Sequence, residues 1–253
     1  MKIALIQSDL VWENPQENRI HFKAKINAIT ENVDLIILPE MFTSGFTMDP
    51  ADVAETMQGE TITLLQTLAK AKNAAITGSL VIEENSQFFN RMVFVLPTGE
   101  IKFYDKKHLF TLSGEDKKYT AGTEKILVLF RNFKICLQIC YDLRFPVFSR
   151  NTEDYDAVIY VANWPKTRTN AWDILLKARA VENMCFAIGV NRVGTDNNNH
   201  EYTGHSQVVD FLGHHLIMPQ ETEGVFITQL DKNNLLEARN KLGFLKDRDV
   251  FKI

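Results

Sequence analysis

Apolar residues along the 253-residue chain fall into short β-rich blocks, with helically spaced stretches between several of them. That alternation predicts an α/β or layered α+β fold. Ile3 to Gln7 forms a first strand, and Pro15 opens a helix whose Ile20, Lys23, Ala24 and Asn27 lie on neighbouring turns. Leu35-Ile36-Ile37-Leu38 is apolar without interruption and reads as a buried central strand. Leu64, Leu65 and Leu68 mark a helix over Thr61 to Lys72. Ala74 to Val81, Gln87 to Leu96 and Ile101 to Lys106 follow as consecutive strands, with Pro97-Thr98-Gly99-Glu100 as a hairpin turn.

After a polar excursion from Ser113 to Lys125, Ile126 to Phe130 and Phe133 to Cys140 form another strand pair, and Pro146 starts a short helix. Ala157 to Ala162 is a second fully apolar strand, and Asn170 to Asn183 is a helix that stacks Trp172, Leu175, Leu176, Arg179 and Ala180. Cys185 to Val190, His205 to Asp210 and Val225 to Asp231 complete the strands. Thr195 to Asn199 is polar and turn-forming, and reads as a surface loop. No Gly/Ser-rich or Pro-rich linker divides the chain, so residues 1–253 are expected to form one domain.

Composition narrows the function classes. Hydrophobic residues make up 45 % and charged residues 24 %, which excludes global disorder. A net charge of −4 offers no basic excess for nucleic acid or anionic lipid. There is no run of 18 apolar residues, and the mean hydropathy of −0.15 predicts no membrane span. The first strand is too short and too soon interrupted to be a signal peptide. Cys136, Cys140 and Cys185 are odd in number and lie in apolar runs, which fits a reducing, cytoplasmic setting.

Three reactive side chains stand where rigid strands end, a placement that holds groups accurately. In LPEMF, Pro39 stops the ladder and leaves Glu40 among Met41, Phe42 and Phe46, where apolar walls would suit the carboxylate to base work. In FYDKKHLF, strand alternation sends Lys106 and Lys107 to opposite faces, so one points inward and needs an anion such as Glu40. In KICLQICYDLRFP, Cys140 closes a strand where the following N–H groups can gather, as in a nucleophile elbow. Cys136, four residues earlier, reads as a packed thiol. Each position alone also admits a structural role. Together they supply a general base, a cation that stabilises an oxyanion and favours thiolate, and a nucleophile.

In this order, LPEMF, DKKHLF and QICYDLRFP resemble the three signatures of the nitrilase superfamily of carbon–nitrogen hydrolases. The likeness continues through Tyr160 to Pro165, Ala178 to Asn183, Asn191 to Gly194 and Tyr202 to Ser206, nearly the whole chain. The resemblance implies a four-layer α-β-β-α sandwich and a homodimer, with the helix from Asn170, the segment after Pro146 and the C-terminal tail at the interface. It also selects Lys106 over Lys107, and Glu115 over Asp116 as a supporting carboxylate. It further implies that Cys140 attacks an amide carbonyl, that Lys106 and the Tyr141 N–H hold the oxyanion, and that Glu40 moves the protons. No metal or cofactor is needed, and His108 reads as packing.

Among the branches, the chain most resembles the omega-amidases, which hydrolyse the terminal amide of 2-oxoglutaramate or 2-oxosuccinamate. Such a substrate needs a cation for its far carboxylate, and Arg144, Lys166 and Arg168 lie where a pocket rim would be, with Phe42 and Trp164 as walls. Arg144 equally suits a structural ion pair. An N-carbamoyl amino-acid amidohydrolase or another aliphatic amidase is the alternative within the same chemistry. A silent scaffold and a thiol redox or metal-binding role for Cys136 and Cys140 are alternatives outside it.

Overall fold

A computed structural model describes residues 1–251. Two six-stranded sheets lie face to face. The first sheet takes its strands from β1 (Lys2–Gln7), β2 (Leu35–Ile37), β3 (Ala75–Glu84), β4 (Gln87–Val95) and β5 (Ile101–Asp105). The second comprises β6 (Leu127–Phe130), β7 (Phe133–Ile139), β8 (Ala157–Ala162), β9 (Phe186–Asn191), β12 (Gln207–Val209) and β13 (His215–Ile217). Between these last two groups, β10 (Val193–Thr195) and β11 (Glu201–Thr203) make a separate hairpin. β14 (Gly224–Gln229) returns to the first sheet, giving the orders β14-β1-β2-β3-β4-β5 and β13-β12-β9-β8-β7-β6.

The continuous apolar strands are explained by burial on both faces. Ile3, Leu5, Leu35 and Ile37 point between the sheets, where they meet Ile135, Leu137, Ile139, Ile159, Val161 and Ile188. Their alternate neighbours Ala4, Ile6, Ile36 and Leu38 face outward under α1 (Pro15–Ala28) and α2 (Glu60–Lys72). In the second sheet, Cys136, Val158 and Tyr160 lie under α4 (Thr169–Glu182), which contributes Trp172, Leu176 and Ala180. Gly189 lets that helix approach, since a Cβ there would stand 2.4 Å from Leu176. The layering is therefore α-β-β-α, as expected.

β1, β2 and β3 are parallel, as are β7, β8 and β9, so the carboxyl ends of both central strand sets open on one side. The short α3 (Pro146–Ser149) sits at this edge. One expectation needs correction. The buried face of α1 is Asn18, Phe22 and Ile26, whereas Ile20 points to solvent. Thr195 to Asn199 is a surface loop as expected, the tip of the β10–β11 hairpin, although its Asp196 is buried. A helix α5 (Lys232–Leu242) follows the last strand, capped by the Asp231 side chain and stopped by Gly243 at φ +71°. It escapes periodicity because only Leu235 on it is buried.

Candidate active site

Glu40 follows β2, Lys106 follows β5 and Cys140 follows β7, so the first two come from one sheet and the thiol from the other. β2 ends at Ile37, and Pro39 lies just past the end of the ladder. Glu40 is fully buried, but its surroundings are polar donors rather than the expected apolar walls. Its Oε1 accepts from Lys106 Nζ at 2.9 Å and Asn90 Nδ2 at 2.8 Å. Its Oε2 accepts from the Asn163 N–H at 2.7 Å, and Asn163 Nδ2 donates to the Glu40 carbonyl at 2.7 Å. The carboxylate is thus fixed by both sheets.

Of the two adjacent lysines, Lys106 is the inward one, and its ammonium is fully buried. It donates to both oxygens of Glu115 at 3.0 Å as well as to Glu40, and lies 5.1 Å from the centre of the Phe46 ring. Burial alone would lower its pKa, but Glu115 and Glu40 outweigh burial and hold it above the ordinary value. Burial raises the Glu115 pKa; Lys106 opposes the rise and Glu40 adds to it. Glu115, rather than the exposed Asp116, is the buried carboxylate of the excursion.

Cys140 opens a 3-10 turn, Cys140–Arg144, with φ at +44°, a left-handed conformation unusual for a residue with a Cβ. The sharp turn swings the thiol out of the strand and into a cleft. Tyr141, next in the turn, has no intrahelical carbonyl behind its N–H. Burial first, and then the negative charge of Glu40, push the thiol pKa well above its ordinary value, while Lys106 pulls it down. Lys106 thus favours the thiolate, as expected, but burial and Glu40 outweigh it, and the raised pKa leaves the proton on the resting sulfur. Cys136 is a core thiol whose pKa burial pushes up to about 12.

Asp142 was missed as a site residue by sequence reasoning. Fully buried, it accepts from the Ile139 N–H at 2.9 Å, Tyr104 Oη at 2.7 Å and the His108 N–H at 3.0 Å, and meets His108 Nδ1 at 2.7 Å. It ties the thiol's turn to the segment just after Lys106. His108 also stacks on Phe145, with ring centres 3.8 Å apart, in line with a packing role. Asn90 was missed too. Its only signal was a polar residue inside an apolar strand, QFFNRMVFV.

The cleft encloses about 390 Å³, with Lys106, Cys140, Tyr141, Arg144, Asn163, Trp164 and Arg168 among its walls. Trp164 lies where expected. Phe42 does not: it turns away to pack edge-on against Phe22 at 5.2 Å in the helix-facing core, and Phe46 and Phe110 take its place in the wall. Lys166 also turns away, into an exposed pair with Glu201 at 2.7 Å. Arg144 has no carboxylate within 4.0 Å among the described residues, so the structural ion pair is not formed. Its guanidinium rests 4.9 Å from the Trp164 ring centre.

Residues 2–240 match the carbon-nitrogen hydrolase family. The chain is 42 % identical to the omega-amidase YafV of Yersinia enterocolitica, covering 99 % of this chain and 98 % of that one. It is 31 % identical to the 2-oxoglutaramate amidase of Bacillus subtilis, covering 97 % and 96 %. Among solved structures, XC1258 from Xanthomonas campestris, a CN-hydrolase superfamily protein with an arsenic adduct in the active site, superposes with a TM-score of 0.98 at 41 % identity, covering 100 % of this chain and 98 % of that one. Fold, signatures and full-length likeness agree that the chain belongs to the carbon–nitrogen hydrolase family.

Proposed function

We propose that this chain is a thiol amidohydrolase that releases ammonia from the terminal amide of a small omega-amide such as 2-oxoglutaramate or 2-oxosuccinamate. The observation that carries the reading is the meeting of Cys140 with the buried Glu40–Lys106–Glu115 cluster, in a cleft that also holds Arg144, which has no carboxylate partner among the described residues. Relatives named omega-amidase and 2-oxoglutaramate amidase support the substrate class.

In this mechanism Glu40 takes the Cys140 proton as sulfur attacks the amide carbon. Lys106 Nζ and the Tyr141 N–H receive the oxyanion of the tetrahedral intermediate. Collapse breaks the carbon–nitrogen bond while Glu40 returns its proton to nitrogen, so ammonia leaves and a thioester remains. Water then attacks the thioester as Glu40 takes its proton. Carbon–sulfur cleavage releases the carboxylate, and the proton returns to Cys140. The raised thiol pKa supports this order, because the sulfur has to be deprotonated during attack rather than beforehand. Glu115 holds Lys106 in place, and Arg144 pairs with the far carboxylate.

The same reading takes residues 1–253 as one catalytic domain. A second copy is the proposed partner. Val147, Ile174, Val181 and Leu212 are exposed apolar side chains, and Ile174, Ala178 and Val181 stack along the outer side of α4. Three free thiols fit a cytoplasmic setting. Among the described residues no helix is long and apolar enough to cross a membrane.

The test is ammonia release from a panel of omega-amides by wild type, Cys140→Ala and Cys136→Ala. Activity confined to proteins that keep Cys140 is expected. Turnover by Cys140→Ala would refute the mechanism, and carbon dioxide released with ammonia from N-carbamoyl amino acids would move the chain to that class.

A further inference from the structure

Resting on the amidase reading and deepening it, we infer that Arg168 is a specificity-determining residue. With Arg144 it clamps the far carboxylate of the substrate and excludes amides that carry an ammonium beside that carboxylate, such as glutamine and asparagine. Arg168 lies in the 3-10 turn Lys166–Arg168, between Pro165 and α4, and lines the same cleft as Cys140. Its guanidinium rests 5.2 Å from the centre of the Phe110 ring, as that of Arg144 rests on Trp164. Trp164 Nε1 donates to the Arg168 carbonyl at 2.8 Å and so joins the two supports. A guanidinium held against an aromatic face keeps its in-plane N–H donors free for a carboxylate.

The charges of the cleft leave these two cations uncompensated. Among the described residues, neither guanidinium has a carboxylate within 4.0 Å or a hydrogen-bond acceptor of the protein. Lys106, the other cation in the wall, is already neutralised by Glu40 and Glu115. The carboxylate in the wall, Asp196, is committed elsewhere. Its oxygens accept from the N–H groups of Asn198 and His200 at 2.8 and 3.0 Å and from Tyr202 Oη at 2.8 Å. A 2-oxo acid offers this site only acceptors: a carboxylate and a carbonyl. An amino acid brings in addition a cation, which meets the like charge of the two guanidiniums. The filter is thus electrostatic and does not depend on chain length.

The experiment measures kcat/KM for ammonia release from glutaramate, pentanamide and L-glutamine in wild type, Arg168→Gln and Arg168→Lys, with calorimetric binding of glutarate as a readout independent of turnover. Wild type is expected to bind glutarate and to prefer glutaramate over both other amides. Arg168→Gln should lower the preference for glutaramate over pentanamide roughly 10–100-fold, chiefly through KM, the scale of one lost charge-assisted bond. The handicap of glutamine relative to glutaramate should narrow in the same variant, and Arg168→Lys should recover part of both effects. An unchanged preference in Arg168→Gln, or equal losses on glutaramate and pentanamide, overturns the clamp and leaves the amidase reading standing. Wild type that binds glutarate through Arg168 yet hydrolyses no amide overturns the amidase reading instead.

Discussion

Replacing Glu115 by Gln alters one charge and almost no volume, yet the site leaves no orientation in which the amide fits. Oε1 accepts from Lys106 at 3.0 Å and Asn90 at 3.3 Å, and Oε2 accepts from Lys106 at 3.0 Å and the Phe110 N–H at 2.5 Å. Every neighbour is a donor, so either rotamer of Gln sets its NH₂ against another N–H. At 3.0 Å and an effective dielectric of about 20, the lost Coulomb attraction is about 5.5 kcal/mol. Part of this returns because the carboxylate no longer has to be desolvated, and Lys106 keeps Glu40 at 2.9 Å. A net loss of about 3 kcal/mol, the low end for a broken buried pair, corresponds to a melting point lower by roughly 6–12 °C in a chain of this size. Lys106 would be drawn wholly toward Glu40, away from the oxyanion and onto the base, so kcat should fall about 10²–10³-fold. Calorimetric melting and ammonia release, with Asp116→Asn as the exposed control, measure both effects. An Asp116-like outcome for Glu115→Gln, with melting within about 2 °C of wild type and kcat within about threefold, refutes the claim that Glu115 positions Lys106.

The two neighbouring lysines should behave oppositely: Lys106→Ala should cost about 10²–10³ in kcat/KM for ammonia release and Lys107→Ala almost nothing, because only Lys106 is buried against the carboxylates. Glu40→Gln should abolish turnover while lowering the pKa of the Cys140 thiol, since the Glu40 charge raises it and Lys106 lowers it. The pH profile of Cys140 alkylation by iodoacetamide, followed by mass spectrometry, should therefore shift to lower pH in that variant; an upward shift would contradict the charge assignment. Ile174→Glu puts a charge into the exposed apolar stripe of α4 and should convert a dimer to monomers in light scattering, whereas a mass unchanged from wild type would place any interface elsewhere.

The strand ends were legible because a buried apolar run that stops at a reactive side chain is a local pattern, visible at Leu38-Pro39-Glu40 and at Ile139-Cys140. Partners set by which sheet a strand joins were not legible. Asn163 reaches Glu40 across 123 residues and Asp142 reaches His108 across 34, distances over which periodicity carries no information. Phe42 was misassigned because Met41 adopts φ +42° just past the strand end, a turn the sequence does not announce. The raised pKa of the resting thiol was not legible, because it comes first from burial and then from the Glu40 charge, both of which the tertiary fold sets. Lys106 illustrates the boundary between the two cases. Alternation required that one of two lysines point inward, while the register of β5 on β4, with Arg91 opposite Asp105, determines which one.

Because the base and its lysine stand on one sheet and the thiol on the other, turnover reports how accurately the two sheets are seated on each other. Asn163 is one bolt between them, with its N–H on the Glu40 carboxylate and its side-chain amide on the Glu40 carbonyl, and the Tyr104–Asp142 bond is another. A slip of a fraction of an ångström in the middle layer separates nucleophile from base long before it melts a strand. Substitutions among the inward-facing residues, far from any substrate, will therefore register first as lost catalysis in a chain that is still folded. The enzyme carries its own gauge of core packing.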